Sequence, residues 1–176
     1  MRRSALAVTA ALVLLALPVT AAEWVPVFFD LPRVENRDAH QEIVVEGSDE
    51  FVAVVEDALG LLYGIDYAAY MVVRQNLRTV KEVRGRSGVH VPHGLFEYRK
   101  ADFWLMRGDR RVAWVAGVLL HEATHVWLYR HGYEYAGRRA EEWCCSVQAQ
   151  FLLKAGYPYL ARWVLEDAFE TRWWDR

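Results

Sequence analysis

Residues His121-Glu122-Ala123-Thr124-His125 form the pattern H-E-x-x-H. On a helix, positions four apart differ by about 40° in rotation and by roughly 6 Å along the axis. Both imidazoles then leave one face and can grip a single metal ion. Glu122 lies about 100° round from His121, beside the metal position. A carboxylate there can act as a base toward water activated by a dication such as Zn²⁺. So short a pattern also arises by chance, and the elements around it must support it.

The motif is expected on a helix over about residues 110–131. Val112 to Leu120 carries no polar side-chain group except the Trp114 indole, and a helix apolar all round is a buried one. The run is too short for a membrane span, which takes about 20 residues. It leads directly into His, Glu, Thr and His. Buried polar groups need partners, and a cation gripped by two imidazoles supplies one. Gly132 is a natural residue to end the helix. Residues 132–137 make a tight connection to a further helix over about 138–155, which Gly156 and Pro158 stop.

A catalytic zinc site has three protein ligands and one open position, so a third ligand is required. His131 has the spacing of H-E-x-x-H-x-x-G-x-x-H, but Leu128 stands where that pattern has the glycine that turns the chain out of the helix. On a continuing helix His131 lies about 9 Å beyond His125 and points away. No methionine follows Met106 to form the Met-turn of that pattern. Glu141 and Glu142 begin the next helix, which a short connection folds back antiparallel, close to His125. Glu141 extends the stripe Cys144, Val147, Gln148, Phe151, Leu152 and Ala155 backwards at helical spacing. Glu142 lies about 100° away, where Arg138 or Arg139 can pair with it. Asp167, on a last helix over about 159–173, is a third and distant candidate. His40, His90 and His93 show no metal spacing with the motif.

On His121, Glu122, His125 and Glu141 the chain resembles the zincin metallopeptidases. More narrowly it resembles the gluzincins, in which H-E-x-x-H on one helix is completed by a glutamate on the next. The likeness spans residues 95–155. It implies an α+β fold, with helices packed on a small sheet whose edge strand, within 94–106, precedes the active-site helix. It implies Zn²⁺ held by His121, His125 and Glu141, with Glu122 as the general base. The implied activity is hydrolysis of a peptide or protein substrate, which can add to the edge strand, with Trp104 beside a subsite. Tyr133, Tyr135, His131 and Arg138, in the adjoining turn, are candidates for the oxyanion donor. The alternative is a non-catalytic zincin-like envelope protein that binds a metal or a partner.

The rest of the chain bounds these readings. Met1-Arg2-Arg3, the apolar run Ala5 to Leu17 and the small residues Thr20-Ala21-Ala22 read as a signal peptide over 1–22. The expected destination is the periplasm or the exterior, with no stable membrane span unless that segment stays uncleaved. Removing 22 of the 176 residues leaves 154, one domain over 23–176, and the formal charge goes from -2 to -4 as Arg2 and Arg3 leave. That charge is no nucleic-acid footprint. Eight Trp, nine Tyr and seven Phe supply either a well-filled core or an aromatic-lined cleft. Cys144 and Cys145 are adjacent, so they cannot bridge without strain and lack the C-x₂₋₄-C spacing of zinc ligands. They read as small buried residues.

Residues 23–47 are expected to be irregular, with a short strand at Ile43-Val44-Val45. Ser48 is placed to cap a helix bearing the stripe Phe51, Val52, Val55, Ala58, Leu59 and Leu62. A second helix is expected over 66–76, a strand over 79–83 and a turn at 85–88.

Overall fold

The structure, a computed structural model, describes residues 42–171, with side chains up to Glu166. The expected signal peptide, the stretch from 23 to 41 with His40, and the Asp167 side chain lie outside the described residues. In chain order the described elements are β1 (Val44–Glu46), α1 (Asp49–Ile65), α2 (Tyr67–Asn76), β2 (Thr79–Val83), β3 (Gly88–His90), β4 (Leu95–Arg99), α3 (Lys100–Phe103), α4 (Asp109–Arg130), α5 (Arg138–Lys154) and α6 (Pro158–Thr171). The architecture is α+β, mostly helical, with one small mixed sheet. Among the described residues no helix is long and apolar enough to cross a membrane.

Helix α4 is the element on which the others assemble. It packs against α1, α2 and α5 and touches β3. Its apolar run explains this placement. Ala113, Val115, Ala116, Leu119 and Leu120 are all buried, and so are His121, Ala123, Thr124, His125, Val126 and Leu128 beyond them. Val112, Trp114, Val118 and Glu122 are part-exposed along one face, and the polar residues buried on the other faces must find partners within the fold. Thr124 meets the demand locally, since its hydroxyl donates to the Leu120 carbonyl at 2.7 Å.

The sheet runs β1-β2-β4-β3. β1, β2 and β4 are parallel, and β3 is antiparallel to β4. Strand alternation sends Phe96 and Tyr98 to one face, where they meet Phe51 from α1 and Phe103 from α3. Ring centroids lie 5.2 Å apart for Phe96–Tyr98 and 5.2 Å for Phe51–Phe103. The order corrects the expectation that an edge strand within 94–106 immediately precedes the motif helix. The strand there is β4, which is paired on both sides, and among the described residues the sheet ends instead at β3. Residues 100–103 are not strand but one helical turn, with Ser87 and Arg99 both bonded to Asp102. β3 begins at Gly88, the last residue of the expected turn at 85–88, and its three residues are too few to show alternation.

A second correction concerns Ser48. It stands at the N-cap of α1, but its side chain makes no capping bond. Its backbone N–H donates to Glu82 Oε2 on β2 at 2.9 Å, so a sheet residue closes the helix end. Burial alone would raise the Glu82 carboxyl, but the Ser48 bonds and the Lys100 charge outweigh it and hold the group below its ordinary value. Asp66 does cap α2 with its side chain, accepting from the Ala69 N–H at 3.1 Å.

Candidate metal centre

The exit from α4 prepares the site. The Gly132 N–H bonds to the Tyr129 carbonyl and the Tyr133 N–H to the Leu128 carbonyl, the paired bonds of a Schellman motif. The motif requires a left-handed residue, and Gly132 supplies it with φ 74°. The chain then turns back over the helix end, and the Tyr135 carbonyl lies 2.7 Å from His125 Nδ1. A carbonyl can only accept, so Nδ1 carries the proton. In the neutral ring Nε2 then presents its lone pair inward, the arrangement that metal-binding histidines adopt.

Helix α5 returns antiparallel along α4. A Cβ added to Gly117 would lie 3.1 Å from Gln148 Cγ and 3.4 Å from Leu152 Cγ, so the glycine permits the close approach. One turn further along α4, His121 and His125 face the start of α5. Glu141 Oε2 lies 3.2 Å from His121 Nε2 and 3.3 Å from His125 Nε2, and the two Nε2 atoms are 3.1 Å apart. Three donor atoms from three residues thus form a nearly equilateral triangle in a buried place. Glu141 Oε2 is itself buried, with these two ring nitrogens as its neighbours.

Three lone-pair atoms this close repel unless a proton or a cation lies among them. A tetrahedral zinc ion with bonds of about 2.0–2.1 Å has ligand atoms about 3.3–3.4 Å apart, and the triangle matches that spacing. The charge states agree. Burial alone would raise Glu141, but the His121 and His125 imidazoles hold it down at about 2, an anion at any working pH. Burial pushes His125 down, yet its bond to Glu141, the nearby Glu122 and Glu141 charges and the Tyr135 carbonyl together raise it. A metal entering the triangle must displace that proton, so its affinity rises with pH.

No protein family, curated protein or solved structure compared with the chain matches it. The reading of the centre therefore rests on its own geometry.

Beside the triangle opens a cavity of about 280 Å³, whose lining includes His121, Glu122, Tyr98, Trp114, Cys145 and Gln148. Burial raises the Glu122 carboxyl. The His121 and His125 charges pull it back and Glu141 adds to the rise, leaving it above its ordinary value. A carboxylate tuned upward is a better proton acceptor near neutral pH. Tyr98 is 2% exposed, and the Trp114 indole beside its hydroxyl can only donate, so the hydroxyl proton finds no acceptor. Burial, then the Asp102 and Glu122 charges, outweigh the Trp114 bond and keep it protonated. Gln148 Nε2 is likewise buried without an acceptor. The cavity therefore offers two unsatisfied donors near Glu122, and a bound polar group would relieve a real cost.

The structure separates the other sequence candidates from the centre. His131 is exposed, stacked 4.3 Å from Trp127, and its Nδ1 bonds to the Trp127 carbonyl. Leu128 is fully buried and the helix continues through it, so the chain does not turn there. Glu142 accepts from Arg138 Nε at 2.7 Å. Tyr133 and Tyr135 have exposed rings, and only the Tyr135 backbone touches the motif. Trp104 is half-exposed over the Arg111 guanidinium at 4.3 Å. Sequence reasoning missed Tyr98 and Gln148 because each sits in an apolar stripe and reads as core. Cys145, one turn after Glu141 on α5, lines the same cavity.

Proposed function

We propose that this protein is a zinc-dependent metallohydrolase, a peptidase of the zincin kind, built as a minimal gluzincin. One observation carries the reading: Nε2 of His121, Nε2 of His125 and Oε2 of Glu141 lie 3.1–3.3 Å from one another beside the raised carboxyl of Glu122. The bound zinc would supply Lewis acidity toward a carbonyl oxygen and toward water. His121, His125 and Glu141 hold it, and the Tyr135 carbonyl fixes the His125 ring. Glu122 accepts the proton of the attacking water and returns it to the departing amine. Tyr98 and Gln148 offer neutral donors to a substrate oxygen in the cavity. In this reading the oxyanion donor comes from β4 and α5 and not from the turn after α4. The substrate is a peptide or protein, and β3 at the end of the described sheet is where an extended chain can add. Export through residues 1–22 belongs to the same reading.

The test is metal analysis of the purified protein, followed by hydrolysis of an unstructured protein with and without a chelator. About one equivalent of zinc and chelator-sensitive cleavage are expected. Glu122→Gln should retain the metal and lose activity by on the order of 10²–10⁴-fold. A metal-free wild type, or equal cleavage by the variant, would overturn the reading.

A further inference from the structure

The two cysteines read in sequence as inert core residues, but the fold brings both to the metal centre. Cys145 follows Glu141 by four positions on α5, so the two side chains share a face one turn apart. His121 and His125 have the same relation on α4. The packing of α4 on α5 therefore sets two such pairs against each other. The Cys145 thiol lies with a His121 ring nitrogen and a Glu141 carboxylate oxygen, all within 4.8 Å of one another. It also lines the cavity shared by His121 and Glu122, the side from which water must approach. Cys144 clusters with His121 and His125, but packs among Leu128 and Ala140 in a small separate core.

We propose that Cys145 is a displaceable fourth ligand, which closes the centre as a His121, His125, Glu141, Cys145 set in the resting protein. The inference rests on the metal reading above but not on peptidase activity. Sulfur and nitrogen ligands of one tetrahedral zinc ion stand about 3.6 Å apart, given bonds of about 2.3 and 2.0–2.1 Å. The Cys145 sulfur lies within 4.8 Å of the His121 and Glu141 donor atoms, so against those two ligands it stands at most on the order of 1 Å beyond bonding spacing, and side-chain rotation must also bring it to the His125 side of the triangle. In binding, the thiol releases its proton to solvent as the sulfur–metal bond forms, and a water leaves the fourth position. A site with four protein ligands is closed, whereas a catalytic site keeps one position open. Cys145 thus sets whether the centre is latent or open to Glu122 and substrate. A thiolate among the ligands also favours Zn²⁺, Co²⁺ or Cd²⁺ over Mg²⁺, Ca²⁺ or Mn²⁺.

The deciding experiment is cobalt titration of the full-length protein after chelator treatment, followed by absorption spectroscopy. The expected result is the visible bands of four-coordinate Co²⁺ together with a near-ultraviolet thiolate-to-cobalt charge-transfer band. Cys145→Ser should lose the charge-transfer band and keep the visible ones, while Cys144→Ser keeps both. Visible bands without charge transfer in the wild type would overturn the proposal and leave the three-ligand centre standing. Charge transfer that vanishes in Cys144→Ser and persists in Cys145→Ser would assign the ligand to the wrong cysteine and also overturn it. No cobalt binding at all would sink the metal reading together with this one. A second measurement needs no Cys145 variant: in Cys144→Ser, zinc should slow alkylation of Cys145, and equal rates with and without zinc would refute the ligation.

Discussion

Helix α4 has a charged cluster near each end, and the two are built on opposite principles. Near its N-terminus Arg111 is 8% exposed, and its charge is met by an acid, a carbonyl and two rings. Nη1 donates to Glu50 at 2.6 Å and Nε to the Met106 carbonyl at 2.9 Å, and the guanidinium lies over Trp104 at 4.3 Å and Phe103 at 5.1 Å. In its second half, His121, His125 and Glu141 turn three acceptor-type atoms toward one point. The Arg111 charge is balanced by the protein itself, as a buried charge must be to persist. The histidine cluster is completed only by a proton or a cation. A buried ionic group is thus a fold element where donors and acceptors balance, and a candidate site where lone pairs converge.

The largest effect that sharpens this contrast is expected at Glu141. Glu141→Gln should weaken zinc binding by more than the roughly 10–100-fold that an outer-shell change costs. Glu142→Gln, which loses only an exposed pair with Arg138, should leave affinity unchanged. Zinc competition titration reads both, and the reverse order would move the site off the face described. Next in size is Arg111→Met. It should lower stability by about 2 kcal/mol through lost charged hydrogen bonds, with zinc affinity unaltered. Urea unfolding and metal titration together check this, and a variant that loses zinc would collapse the distinction between the two ends.

The smallest effect tests an acid outside both clusters, Glu82. Its carboxyl is lowered in the folded protein, so its contribution is present above the ordinary carboxylate value and is lost as pH falls through the folded one. Glu82→Gln should therefore cost about 1 kcal/mol at neutral pH, and the gap to wild type should close in acid. Denaturation curves across pH would show it, and a constant gap would remove the charge from the explanation.

Much of the helical layout was legible locally. Phe51, Val55, Ala58 and Leu62 recur at helical spacing and are all fully buried in α1, and the apolar run before His121 marked α4 as the buried helix. The sheet order was not legible, because strand pairing joins Val80 to Phe96 and Val89 to Phe96 across spans that no local pattern encodes. Nor was the capping of α1, since Ser48 has the right residue type but the acceptor comes from Glu82, 34 residues away.

The H-E-x-x-H stretch itself shows the division. Sequence alone determined that His121 and His125 share a face and that Glu122 stands aside from it, because helix periodicity sets those angles whatever the surroundings. It also ranked Glu141 above Glu142, through the stripe it continues. Only tertiary structure decided that the Glu141 oxygen closes a triangle with both imidazoles, and that the turn after Gly132 delivers the Tyr135 carbonyl to Nδ1. It alone brought Tyr98, Gln148 and Cys145 to the same cavity. Those placements depend on how closely α5 packs on α4 at Gly117 and on which way β4 faces, and both are set by long-range packing that single positions do not record.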